Sequence, residues 1–213
     1  MPVGADLPRL DEFVRRCFVL QDERPDGVEE VELEMLDSFL RSLLFTDGTV
    51  TRALTVETLV PISVSPISQE ELAVPAEFAG YLEVEPGANS VRRRVEIASG
   101  STPLLWAESY LLPDRLPPGF FSWLEVATDG IGQSLQSLES FRELLWFGSD
   151  AVPDWAPPGK ADASIRRLYR LVSEGQPAIL ISESFRVEWL SGAYRLSGLA
   201  TSLRRASDGG GSR

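Results

Sequence analysis

An arginine and a glutamate stand where strands ought to be apolar. In SVRRRVEIA, residues 90–98, alternation places Val91, Arg93, Val95 and Ile97 on one face and Arg92, Arg94 and Glu96 on the other. In PAILISESFRVEWL, residues 177–190, alternation puts Glu183 in a row with Ile179, Ile181, Phe185 and Val187. An unpaired ion held among aliphatic side chains costs on the order of several kcal/mol or changes its protonation state. Two such residues therefore need a reason. One is an internal ion pair between them, or a bulge that turns one of them outward. The other is a cavity in which Arg93 binds a carboxylate through its planar fork while Glu183 moves a proton. A carboxyl group in apolar surroundings keeps its proton towards neutral pH, which would make Glu183 a proton donor. Pattern alone leaves both readings open.

Other polar residues carry less. Glu108 shares a face with Leu104, Trp106, Tyr110 and Leu112, so it either points inward or partners an arginine. Cys17 reads as a small core residue, and the run Glu29, Glu30, Glu32, Glu34 as a solvated face. Asp47 and the threonines around it read as helix-end chemistry.

Composition narrows the chemistry further. The 213 residues contain no histidine and one cysteine. Ser–His–Asp and Cys–His catalysis are excluded, as are zinc sites built on imidazole, and no intrachain disulfide can form. Acid–base work falls to Asp, Glu, Lys, Tyr or water. Neither a GxGxxG nor a GxxxxGK[ST] loop is present. No cofactor and no metal are expected. A net charge of −12 argues against a nucleic-acid partner. No stretch approaches the roughly 20 apolar residues that span a bilayer, and MPVGADLPRLDEF does not read as a secretory signal. The expected location is the cytoplasm.

The elements that must hold Arg93 and Glu183 follow from periodicity. VEEVELEMLDSFLRSLL, residues 28–44, carries apolar residues at helical spacing and predicts an amphipathic helix, ended by Asp47-Gly48, after which Thr49 caps a short second helix. Residues 60–68 alternate like an edge strand, and residues 70–86 read as a helix-and-loop connection. Strands at 90–98 and 103–113, separated by SGST, form a hairpin. GIGQSLQSLESFRELLWFG predicts a helix closed by Gly148. A second hairpin has arms at 164–172 and 177–190 joined around Glu174-Gly175, and a last strand is expected within 193–203. Residues 1–204 read as one α+β domain with a loose approach over 1–28, and residues 205–213 as a flexible tail.

Four stretches, in this order, resemble the chorismate lyase family. They are FLRSLLFTDGTVT, VRRRVEI with WAESYLLPDRLPP, GIGQSLQSLESFREL, and YRLVSEGQPAILISESF. Together they span about residues 39–188. The resemblance implies a single antiparallel β-sheet with helices packed on one side and a ligand enclosed beneath helical flaps. It implies cofactor-free conversion of chorismate, a small anionic substrate, to pyruvate and an aromatic acid product, 4-hydroxybenzoate. It carries the family's substrate-binding arginine onto Arg93 and its catalytic glutamate onto Glu183, the two residues that alternation isolates. Further substrate contacts fall on Val50, on Ile131 within Gly130-Ile131-Gly132, and on the backbone of Glu108. Two departures stand out: Glu108 replaces a glycine of the best-known branch, and the turn at 99–102 is one residue longer. Two other functions fit the same fold. One is a non-catalytic sensor like the ligand-binding domains of bacterial transcription regulators; the other is an enzyme acting on a different acidic metabolite.

Overall fold

Two tight turns organise the sheet. Glu174 and Gly175 both take positive φ, 52° and 76°, which is the backbone of a two-residue hairpin turn whose twist matches its strands. Gly100, with φ 58°, serves the other hairpin. The computed structural model describes residues 7–126, 140–157 and 163–187. Within them, six strands form one antiparallel sheet: β1 Ile62–Ala73, β2 Asn89–Ser99, β3 Thr102–Leu111, β4 Ser140–Ala151, β5 Ala163–Ser173 and β6 Gln176–Arg186. Their spatial order is β1-β2-β3-β6-β5-β4. The helices are α1 Leu7–Cys17, α2 Ser38–Phe45, α3 Val50–Thr58, α4 Ala76–Leu82 and α5 Phe120–Val126. This is the α+β, single-sheet architecture that the resemblance implies.

Leu40, Leu43 and Leu44 of α2, Val50 and Leu54 of α3, and Phe120 and Leu124 of α5 share a core with Val91, Leu105, Leu111, Ile179, Ile181 and Phe185. These helices cover the inner face of the sheet. One further helix, α4, buries Ala79 and Leu82 against Tyr110, Leu168 and Leu180 on the outer face. Central strands are thus buried on both sides, and β3 and β6 are buried almost throughout.

Two helices expected from sequence differ over the described residues. Over 28–44 the helix begins only at Ser38, where Asp37 accepts from the amides of Phe39 and Leu40 at 2.8 Å each. Upstream, Glu29 exchanges two 2.9 Å backbone hydrogen bonds with Ser149, and Leu33–Met35 make a single 3-10 turn. Met35, expected on the apolar stripe, is 79% exposed. The helical spacing of this segment is overridden by its pairing with a strand edge. The second correction is at SFRELLWFG, which is strand β4 rather than the end of a helix. Its run Leu144-Leu145-Trp146-Phe147 is buried throughout, with a register shift between Leu144 and Trp146, and periodicity cannot tell such a run from a helix. Gly148 is not a helix stop: a Cβ there would lie 2.5 Å from the Glu29 carbonyl oxygen, so it is the strand residue against which that segment packs.

Thr49 stands at the α3 N-cap but its side chain makes no capping bond. The expected strand within 193–203 and the tail 205–213 lie outside the described residues.

Candidate active site

Strand register sets the site. Across the sheet, Arg93, Ser109, Ile181 and Tyr169 pair in one row, and Val95, Ala107, Glu183 and Arg167 in the row two residues along. All eight side chains belong to the face covered by α2, α3 and α5. A pocket of about 550 Å³, mouth included, opens between this face and the start of α3. Arg93, Ser109, Tyr169, Arg142 and Glu183 supply its sheet-side polar groups, Val64, Val95, Ile97, Ala107 and Ile181 its apolar ones, and Thr49, Val50 and Thr51 its other wall. Such a cavity, mostly apolar with a few converging polar groups, is what a small acid requires.

Arg93 and Glu183 are both inside, 6% and 5% exposed. They do not pair with each other. Arg93 donates to the carbonyl of Leu124 at 3.2 Å and to Gln69 Oε1 at 3.5 Å, and makes no ion pair among the described residues. Burial lowers its guanidinium pKa from the ordinary value, yet arginine stays a cation at neutral pH. An uncompensated buried cation facing a cavity is a receptor for an anion.

Glu183 does not sit in the apolar surroundings expected for it. Arg167, 0% exposed, donates Nε and Nη2 to Glu183 Oε2 at 3.1 and 2.5 Å. The Tyr169 hydroxyl donates to Oε1 at 3.1 Å. Both glutamate oxygens therefore accept, the bonding pattern of a carboxylate rather than a carboxylic acid. Burial, with the Glu183 charge second, pushes the Tyr169 phenol pKa well up, so it stays a neutral donor. Arg167 also braces a helix end, its Nη1 donating to the carbonyls of Leu43, Leu44 and Thr46 at 2.6, 3.0 and 3.1 Å. Those carbonyls belong to the end of α2, where the helix leaves acceptors unpaired. Arg142 continues the clamp, donating to the carbonyls of Asp47 and Gly48. Two arginines thus hold the segment that delivers Thr49, Val50 and Thr51 to the pocket.

Sequence reasoning did not find Arg167, Tyr169 or Arg142. The signal for Arg167 was present, since Ile165, Arg167, Tyr169 and Leu171 alternate on one face. Arg142 was hidden by reading its segment as a helix. Of the other site residues expected, Val50 lines the pocket. Glu108 is placed differently: its carboxylate lies on the outer face, where it accepts from Arg94 Nε at 2.7 Å beside Trp155. Because α4 buries that face too, an apolar row was no guide to which side is inner. Only the backbone of Glu108, between Ala107 and Ser109, runs past the pocket. Ile131 lies outside the described residues. Among those residues, no three carboxylate or cysteine side chains are grouped to hold a metal, and no helix is long and apolar enough to cross a membrane.

One antiparallel sheet covered by helices is an α+β architecture with solved counterparts. It is similar to the effector domain of PhnF from Mycobacterium smegmatis, with a TM-score of 0.53 at 14% identity, covering 67% of this chain and 91% of that one. It is also similar to the gene product SA0254 of Staphylococcus aureus, with a TM-score of 0.51 at 14% identity, covering 67% and 90%. Those likenesses establish architecture alone. The sequence goes further: residues 44–191 match the profile of the family described as chorismate pyruvate-lyase, Rv2949c-like, and the chain belongs to that family. Relatives named chorismate pyruvate-lyase include one from Mycobacterium leprae, 30% identical over 164 residues, covering 72% of this chain and 77% of the relative. Another, from Mycobacterium tuberculosis, is 26% identical over 170 residues, covering 74% and 84%.

Proposed function

We propose that this protein is a chorismate lyase that eliminates pyruvate from chorismate to give 4-hydroxybenzoate, without metal or organic cofactor. The carrying observation is that Arg93, a buried cation with no carboxylate partner among the described residues, shares one pocket with the Glu183 carboxylate. The family supports the reading. A location in the cytoplasm suits it, since one cysteine leaves no intrachain disulfide to form.

Arg93 binds the ring carboxylate and orients the cyclohexadiene above Glu183, with the apolar side chains of Val95, Ile97 and Ile181 against its faces. The donors around Glu183 favour proton acceptance over the proton donation expected from sequence. Its carboxylate takes the hydrogen from the hydroxyl-bearing ring carbon. The C–H electron pair becomes the new ring double bond, and the neighbouring C–O bond breaks with its electrons on the enolpyruvyl oxygen. That enolate takes up a proton at carbon to become pyruvate, and the ring is left aromatic. Aromatisation drives the step, so positioning and one base suffice. Arg167 is a positioning residue: it holds Glu183 as a carboxylate and ties it to the end of α2.

The test is incubation of the purified protein with chorismate, following 4-hydroxybenzoate and pyruvate by chromatography. Equimolar products are expected, and Glu183→Gln lowers turnover by about 10²–10⁴-fold, the range typical of a lost general base. Unchanged chorismate with the wild-type protein refutes the lyase. If 4-hydroxybenzoate still binds in that case, the domain is a sensor or acts on another acid.

A further inference from the structure

The pocket carries more positive charge than one carboxylate can satisfy. Its charged groups are Arg93, Arg142 and Glu183, with Arg167 directly behind Glu183. Arg167 and Glu183 neutralise each other. Arg93 and Arg142 form no ion pair among the described residues, which leaves two cations facing one cavity in a chain whose net charge is −12. These two are held apart. Arg93 is on β2 and Arg142 on β4, four strand steps away in the sheet order, so their backbones are about 19 Å apart at ~4.8 Å per step while both side chains reach into the one pocket between. Each guanidinium is fixed where it enters: Arg93 by the Leu124 carbonyl, Arg142 by the Asp47 and Gly48 carbonyls and by the Tyr169 ring, 5.3 Å from its Cζ.

We infer that Arg142 is the anchor for a second carboxylate, so that the pocket selects a dianionic di-acid over a monoanion. The inference rests on the lyase reading for its substrate and deepens it. Chorismate carries one carboxylate on the ring and one on the enolpyruvyl group. Arg93 takes the first and Arg142 the second, and the bond broken in the reaction lies between them. After cleavage each product keeps a single carboxylate, so neither spans both anchors. Arg142 thereby contributes to substrate affinity and nothing to retention of the aromatic product. Its hold on the 47–48 carbonyls places this anchor at the wall formed by Thr49–Thr51.

The discriminating probes are 3-(1-carboxyvinyloxy)benzoate, an unreactive aromatic molecule that keeps both carboxylates, and 4-hydroxybenzoate, which has one. Affinities of the full chain for each are measured by calorimetry. Arg142→Gln is expected to weaken the di-acid by about tenfold or more, the loss of one charge-assisted contact, and 4-hydroxybenzoate by less than about twofold. Arg142→Lys restores part of the di-acid affinity, and Arg93→Gln weakens both ligands. Equal weakening of both ligands in Arg142→Gln overturns the inference, because it marks Arg142 as a loop clamp only; no weakening of either overturns it too. A wild-type protein that prefers the di-acid through Arg142 yet leaves chorismate intact refutes the lyase and keeps the anchor.

Discussion

The two faces of the sheet treat arginine differently. On the outer face four strand arginines have carboxylate partners. Arg92 meets Glu70 at 2.5 Å, Arg94 meets Glu108 at 2.7 Å and Arg166 meets Asp150 at 2.8 Å. Arg170 has two partners, Glu143 at 2.5 Å and Glu83 at 2.8 Å. Of the pocket's inner-face arginines, only Arg167 is matched among the described residues, by Glu183. Arg93 and Arg142 face a cavity without carboxylate partners there. The outer pairs keep partial contact with water, which screens each of them. Leaving a cation uncompensated under the helices costs stability, and a ligand carboxylate recovers that cost. A groove does exist on the outer face, bounded by Arg94, Glu108, Asp150, Asp154, Trp155 and Arg166, but both of its arginines already have carboxylate partners. Charge left over, rather than charge present, distinguishes the face that carries the Arg93–Glu183 pocket.

This contrast can be broken by substitution. Arg167→Met strands Glu183 as a buried unpaired carboxylate and frees three carbonyls at the end of α2, so urea unfolding should show a loss of about 3–5 kcal/mol. Tyr169→Phe removes a donor to that carboxylate and should cost about 1.5–3 kcal/mol near neutral pH. It should also change the alkaline limb. Tyr169 has a raised pKa when folded, so its contribution is fully present below the ordinary tyrosine value of about 10. Above that pH the unfolded chain ionises first, the folded state binds more protons, and stability falls as pH rises. Tyr169→Phe therefore unfolds with a shallower dependence on pH above about 10, as read by thermal melts. Arg94→Met, on the outer face, leaves the mostly buried Glu108 carboxylate without its partner and should cost about 1–2 kcal/mol. Arg93→Met is expected to leave unfolding stability unchanged or raise it, since it removes a buried cation with no carboxylate partner among the described residues. A large destabilisation there would show that the Leu124 and Gln69 contacts, not a ligand, are its purpose.

Much of the site was legible before the structure because burial of charge is visible in alternation. Arg93 and Glu183 interrupt apolar rows, and both hairpins were marked by Gly100 and Gly175. The same rule applied to Ile165, Arg167, Tyr169 and Leu171 would have exposed the partner of Glu183. Other features were not legible. Residues 28–37 have helical spacing but are drawn out by pairing with β4, a contact more than 100 residues away in sequence. In β4 the four consecutive buried residues carry no period at all, which concealed Arg142. For Glu108, an apolar row could not say which face was inner, because α4 covers the outer face as well.

Neighbouring arginines on opposite faces provide the sharpest test. Calorimetric titration of 4-hydroxybenzoate into the wild type, Arg93→Met and Arg94→Met isolates the face from the charge. Arg94→Met is expected to bind like the wild type, and Arg93→Met to be weaker by about tenfold or more. Loss of binding in Arg94→Met with retention in Arg93→Met would contradict an inner-face site and move it to the outer groove.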